Sequence, residues 1–290
     1  MGGTRDAVRR PRGAGGERGE WFTVEPPYVP GGGVVGEVIS VGEGVDAGWK
    51  GRHVAIHTGI TGGYAEQIPA PIERLIEVPF GMDLREAAAL LHDGQTALGL
   101  FENAGIRKGE WVLATAAGGG MGILLVQLAH AAGARVIGAA RGKGKLELAR
   151  DLGAEIMVDY SEPDWAQHVR EATGSKGADV IFDGAGGEIG LGAFELTARG
   201  GRFSAHGASS GGAAEIDSQE AQRRGVSVRG IEQVQFSPAE SKRLTERALS
   251  EAVAGRIKPV IGQTFTLERA ADAHPAMEAR NVIGKTLLIV

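Results

Sequence analysis

WVLATAAGGGMG, residues 111–122, is the stretch from which the rest of the chain is read. Residues 111–116 form an apolar run of strand length. A glycine cluster follows, and then ILLVQLAHAA, residues 123–132, is apolar almost all round and closed by Gly133. A second apolar run occupies residues 135–140. This order of strand, tight turn, buried helix and strand is a βαβ unit of about thirty residues. Ala117, Gly119 and Gly122 take the three fixed positions of the G-x-G-x-x-G fingerprint, with alanine in the first. The first position makes a tight turn, and alanine fits there if φ stays negative. The second must lack a side chain so that backbone N–H groups reach a pyrophosphate. The third lets the helix pack closely on the strand, with its N-terminus facing the negative charge.

Composition limits the alternatives. The chain has 290 residues, enough for two domains and a sizeable core, and a net charge of −5 from 31 basic and 36 acidic residues. That balance disfavours nucleic acid or an anionic membrane as partner, and no apolar segment runs uninterrupted for the length of a membrane span. A cytoplasmic enzyme is the expectation. Cysteine is absent, which excludes disulfides, thiolate catalysis and cysteine-ligated metal.

Outward from the fingerprint, the pattern divides in two. Residues 1–20 are rich in arginine and glycine without hydrophobic period and read as a disordered arm. Residues 33–41, 51–56 and 63–69 read as strands of a β-rich segment. His53 and His57, four apart along extended chain, lie roughly 13 Å from each other, too far to share a metal. Residues 83–91 and, after Gly94, 96–104 read as helix. Beyond Trp111 strands and helices alternate. Helices are expected at 143–152, 164–172 (with Asp164 as cap), 191–198, 238–254 and 268–279, and strands at 156–158, 178–182, 201–205, 226–229, 260–265 and 285–290. This is the pattern of a doubly wound parallel sheet. Glycines cluster after strands at 118–122, 142–144, 184–187 and 207–212. Such sheets bind ligands at the carboxyl ends of their strands, so one extended ligand along that edge is expected.

The second strand ends in Gly138-Ala139-Ala140, where an NAD site would carry an acid for the ribose 2′-hydroxyl. Arg141, Lys143 and Lys145 follow instead. Cations beside a helix N-terminus attract a 2′-phosphate, which predicts NADPH. Two other chemistries are weighed. Residues 207–211, GASSG, match the hydrolase G-x-S-x-G, with Asp272 and His274 later in the required order. No helix is expected straight after that serine, and residues two apart on a helix do not face each other. Tyr160 is followed four positions later by Asp164, not by the lysine of a Tyr-x-x-x-Lys pair.

With these residues placed, VPGGGVVGEV, GGYAEQIPAP, EAAALLHDGQTALGLF, AAGGGMG, GAEIMVDY and the KPVIG and GKTLL segments resemble the zinc-independent medium-chain dehydrogenase/reductases, closest to the quinone oxidoreductase (zeta-crystallin-like) branch. The resemblance runs from about Pro27 to Val290. It implies an α/β fold: a GroES-like β-rich catalytic domain, residues 21–91 plus 256–290, with an inserted doubly wound parallel-sheet Rossmann domain, residues 92–255. It implies that Gly118, Gly119, Gly120, Met121 and Gly122 meet the pyrophosphate of NADPH and that Lys145 meets its 2′-phosphate. Tyr160 would lie near the adenine ribose, Gly207 and Ser209 in a cofactor loop, and Thr96 toward the nicotinamide. Zinc-dependent relatives place His and Glu after a glycine where this chain has Gly31-Gly32-Gly33, so metal-free hydride transfer to a quinone or activated alkene (enone or enoyl) is implied, in a homodimer. The family's first strands find no match before Pro27. The catalytic domain is expected to be incomplete, the catalytic residues are unassigned, and the alternative is a non-catalytic NADPH-binding protein.

Overall fold

A computed structural model describes residues 27–59 and 61–290; the expected arm at 1–20 lies outside the described residues. The first segment holds an antiparallel sheet of β1 (Gly33–Glu37), β2 (His53–His57) and β3 (Ile76–Glu77). The expected strand at 63–69 does not form. Gly63 lies on the backbone of Gly31, donating to its carbonyl, and only an isolated bridge joins Pro30 to Thr61.

Helix α1 (Leu84–Ala104) follows as one unbroken helix. Asp83 caps it, accepting from Arg85 N at 2.7 Å, and Gly105 ends it in the left-handed conformation at φ 55°. Gly94 does not interrupt it, because Ala248 packs where a side chain would be. The expected domain boundary between residues 91 and 92 therefore falls inside this helix. One core cluster joins Ala55 and Ile76 of the first segment to Leu90, Val112 and Leu124.

From Trp111 the elements alternate: β4 (Trp111–Ala114), α2 (Gly120–Ala131), β5 (Arg135–Ala140), α3 (Lys143–Asp151), β6 (Ile156–Asp159), α4 (Trp165–Ala172), β7 (Ala178–Asp183), α5 (Gly187–Glu195), β8 (Thr197–Ala205), α6 (Ser218–Arg224), β9 (Ser227–Arg229) and α7 (Pro238–Val253). β10 (Ile261–Thr266), α8 (Ala270–Glu278) and β11 (Lys285–Ile289) close the chain. Six strands form one parallel sheet in the order β6-β5-β4-β7-β8-β9, while β10 and β11 pair separately. Strand periodicity sorts the core onto two faces. Val112, Ala114, Val136, Val180 and Phe182 pack on one side, and Leu113, Ile137, Ile181 and Phe203 on the other.

Several expected bounds move. α5 starts at Gly187 rather than 191, because Gly190 lets the helix lie on the Asp183 carboxylate, and β8 begins at Thr197 rather than 201. Asp164 makes no capping hydrogen bond; its carboxylate faces His168 at 3.5 Å. The helix α6 was not anticipated, although Asp217 caps it and Gly225 ends it. Among the described residues, no helix is long and apolar enough to cross a membrane.

Candidate cofactor site

The strand order reverses about β4 and β7, and the cavity lies at the carboxyl ends of these strands, as open α/β sheets dictate. Its volume is about 580 Å³, within the usual range for small-molecule and cofactor sites. The wall is built from the loop after β4, from Ala140 and Arg141 at the end of β5, from residues 209–211 after β8, and from the chain's end.

The loop after β4 turns through Ala116, which takes a left-handed φ of 52°. Ala117 keeps out of that region, as the fingerprint requires of alanine. Gly119 N donates to Ala116 O at 2.9 Å, and Gly119 serves as N-cap of α2 with no side-chain capping hydrogen bond. The first-turn N–H groups therefore have no side-chain partner. A Cβ on Gly122 would collide with the Ala116 carbonyl, so this glycine brings helix against strand. Where Gly118 lacks a side chain, the aliphatic stem of Lys145 fills the space.

The loops after β7 and β8 are tied together. Asp183, fully buried, accepts through Oδ1 from Thr115 Oγ1 at 2.8 Å and from the N–H groups of Ala185 and Gly186. Burial pushes its carboxyl above the ordinary value, and Oδ2 has no partner. Ser210 Oγ donates to Gly186 O at 2.6 Å, and Gly207 N to Asp183 O at 3.0 Å. The glycines at 184–187 thus support the neighbouring loop and do not line the cavity, where α5 contributes Ile189.

At one end of the cavity Arg141, Lys145, Arg280 and Tyr160 converge. Lys145 Nζ donates to Arg280 O at 2.6 Å, and Arg280 itself holds a left-handed φ of 59°. Burial first, then repulsion from Arg141 and Arg280, lowers the Lys145 ammonium below its ordinary pKa. Among the described residues none of these three cations makes an ion pair, whereas Lys143 pairs with Glu147 and Lys285 with Asp93. Asp159 accepts from Gly142 N at 3.0 Å and from Ser161 N at 2.9 Å. Although burial opposes its charge, hydrogen bonds from Ser161 and Gly142, and then the charge of Arg141, hold its carboxyl below the ordinary value. Burial raises the Tyr160 phenol.

Of the expected site residues, Gly118, Gly119, Gly120, Arg141, Lys145, Tyr160 and Ser209 line the cavity. Thr96 is buried inside α1, Met121 packs on the main core cluster, and Gly122 and Gly207 act as close-approach glycines; these four are not in the wall. Asp93, Met277, Arg280, Val282, Lys285 and Thr286 are in it and were not singled out from the sequence. No motif marks them. The residues from the chain's end arrive because Gly284 N bonds Gly118 O at 2.8 Å, laying the start of β11 beside the fingerprint loop, and Asp93 arrives because α1 lies against the start of α2.

The hydrolase constellation does not assemble. After Ser209, the serine of that motif, no helix starts until Ser218; Asp272 pairs with Arg269, and His274 lies against the Tyr64 ring. Of the two strand histidines, His53 is exposed, while His57 bonds Thr245 Oγ1 at 3.0 Å and burial, then His92 and Arg74, push it down to about 4.

Comparison with known proteins supports the same architecture. Residues 8–80 match the alcohol dehydrogenase GroES-like domain and residues 120–250 the zinc-binding dehydrogenase family. The first match begins at residue 8, within the region that the sequence reading set outside the resemblance. The chain is 31% identical over 266 residues to the quinone oxidoreductase of Rattus norvegicus, covering 91% of this chain and 80% of the relative. It is 35% identical over 277 residues to a 2-haloacrylate reductase of Burkholderia, covering 91% and 82%. The crystal structure of Escherichia coli quinone oxidoreductase complexed with NADPH superposes with a TM-score of 0.84 at 26% identity, over 93% of this chain and 85% of that one. The chain belongs to the medium-chain dehydrogenase/reductase superfamily, among the relatives of the quinone oxidoreductases, with a GroES-like domain and a parallel-sheet Rossmann domain.

Proposed function

We propose that this chain is an NADPH-dependent reductase that delivers hydride to a quinone or an activated alkene without a metal. The observation that carries the cofactor assignment is the group of Arg141, Lys145 and Arg280, three cations that make no ion pair among the described residues, at the end of a cavity that also holds a helix N-terminus without a side-chain cap. Its two parts match the two anionic groups of NADPH. The backbone N–H of Gly120, at the start of α2, would meet the pyrophosphate, and the three cations the 2′-phosphate. Tyr160 would lie beside the adenine ribose, and Ser209 and Ile189 along the wall leading to the nicotinamide. NADPH, when bound, supplies the hydride, so the protein's task is binding, orientation and exclusion of water. The relatives' names, quinone oxidoreductase and 2-haloacrylate reductase, support an acceptor of one class: a carbon electrophile conjugated to a carbonyl or carboxylate.

The metal-free reading rests on the donor set. At the positions where zinc-dependent relatives carry ligands, a Cβ on Gly32 would lie 2.8 Å from Gly59 O, and one on Gly33 2.6 Å from Leu91 Cδ2. There is no cysteine, and no group of three ligand-type side chains occurs among the described residues. A homodimer is part of the proposal, on family resemblance. The test is NADPH oxidation measured with a simple quinone, a 2-haloacrylate and a cyclic enone. Turnover with at least one, faster with NADPH than NADH, supports the reading. Tight NADPH binding with no turnover on any of the three would instead assign a non-catalytic NADPH-binding protein.

A further inference from the structure

We propose that Lys285 is the cation that neutralises the cofactor pyrophosphate, and that buried Asp93 is a positioning residue that holds it there. This rests on the reading of the cavity as an NADPH site. Lys285 Nζ lies 2.7 Å from Asp93 Oδ1, joining β11 to the middle of α1. The two partners are unequally exposed: the Asp93 side chain keeps 10% of its surface and that of Lys285 28%. The acid is buried and the cation retains access to the cavity that both line. Their position matters because of Gly120, the first residue of α2. A Cβ there would collide with Asp93 Oδ2 and lie 3.5 Å from Lys285 Cδ. The pair therefore sits against the helix turn where an anion would be received.

An acid at that place is unfavourable for an anion site unless a cation covers it, and a buried carboxylate without a partner is itself strongly unfavourable. Lys285 meets both requirements. Its backbone is held in register with the fingerprint by the Gly284 N to Gly118 O bond, and Lys285 N donates to Val260 O at 2.8 Å. Of the four cations that line the cavity, Arg141, Lys145 and Arg280 gather at the adenosine end, and Lys285 stands beside Gly120. The two groups thus divide the ligand: three cations for the 2′-phosphate, one for the pyrophosphate.

The test uses three ligands that separate these groups: NADPH, 2′-phospho-ADP-ribose (pyrophosphate and 2′-phosphate without nicotinamide) and 2′-AMP (no pyrophosphate). Dissociation constants are measured for the wild type, K285M and the double variant D93N/K285M. K285M is expected to bind NADPH and 2′-phospho-ADP-ribose at least tenfold more weakly. Adding D93N removes the bared carboxylate and should recover at least threefold of that loss while staying at least threefold weaker than wild type. Affinity for 2′-AMP should change less than twofold in both. The double variant leaves no buried charge unpaired, so it decides the pyrophosphate assignment even where K285M does not fold; K285R, which keeps the charge, should stay within threefold of wild type. Three results would overturn the proposal: wild-type NADPH affinity in the double variant, a parallel loss for 2′-AMP, or K285M binding as well as the double variant. Should the wild type itself show no preference for NADPH over NADH, the cofactor reading fails; should it show that preference and the variants not respond, only the role of Lys285 fails.

Discussion

Substituting methionine for Lys145 tests the phosphate end of the site with little disturbance of packing. The lysine stem fills the space beside Gly118, where a Cβ would lie 2.5 Å from Lys145 Cβ and 3.0 Å from Cδ. Methionine keeps that stem and removes the ammonium. A hydrogen bond to a charged group contributes about 1.5–3 kcal/mol. The lower part of that range applies, because Lys145 is half-buried among like charges and its removal relieves Arg141 and Arg280. A loss of about 1.5–2 kcal/mol corresponds to roughly 13- to 30-fold weaker NADPH binding. NADH lacks the 2′-phosphate, so its dissociation constant should change less than twofold. Both constants are read by fluorescence titration at one fixed ionic strength, since exposed charges are screened by salt. Equal losses for the two cofactors would show that Lys145 shapes the loop without contacting a phosphate, and no loss for either would remove it from the site.

Three further outcomes follow from the same geometry. Gly122→Ala forces a methyl group onto the Ala116 carbonyl, so it should destabilise the fold by about 1–3 kcal/mol in denaturant titration and weaken NADPH and NADH alike; a variant as stable and as tight as wild type would contradict the close approach of helix and strand. The preference for NADPH over NADH should rise between about pH 5 and 7 as the 2′-phosphate takes its second charge. It should fall again on the alkaline side, below the ordinary lysine pKa of 10.5, because the free protein loses the Lys145 proton early and the bound phosphate must restore it; a flat ratio across this range would separate Lys145 from the phosphate. Purified protein should carry no stoichiometric zinc, and chelators should leave nucleotide affinity unchanged; one zinc per chain by elemental analysis would refute the metal-free proposal.

The parallel sheet was legible because its signal is local. Apolar runs at 111–116 and 135–140 flank a glycine cluster, and period-2 burial on both faces needs nothing remote to produce it. Gly118, Gly119, Gly120, Arg141 and Lys145 were legible for the same reason, since they follow the ends of β4 and β5 directly. The rest depends on chain segments meeting in space. Arg280 and Lys285 reach the cavity only through the Gly284–Gly118 backbone bond, and Asp93 only because α1 lies across the start of α2. An acid in the middle of a helix and a lysine at the start of a terminal strand have no local pattern. Gly94 and Gly190 misled the placement of helices in a different way. Their helical conformation is sustained by the close approach of Ala248 and Asp183, which intrinsic propensity does not register.

The central claim is that this cavity binds NADPH through its 2′-phosphate. The most direct measurement is the pair of dissociation constants for NADPH and NADH on the wild-type chain, at the same pH and ionic strength. Three cavity-lining cations that make no ion pair among the described residues predict a preference of at least about tenfold for NADPH, or about 1.4 kcal/mol. Equal constants, or tighter NADH, would contradict the account.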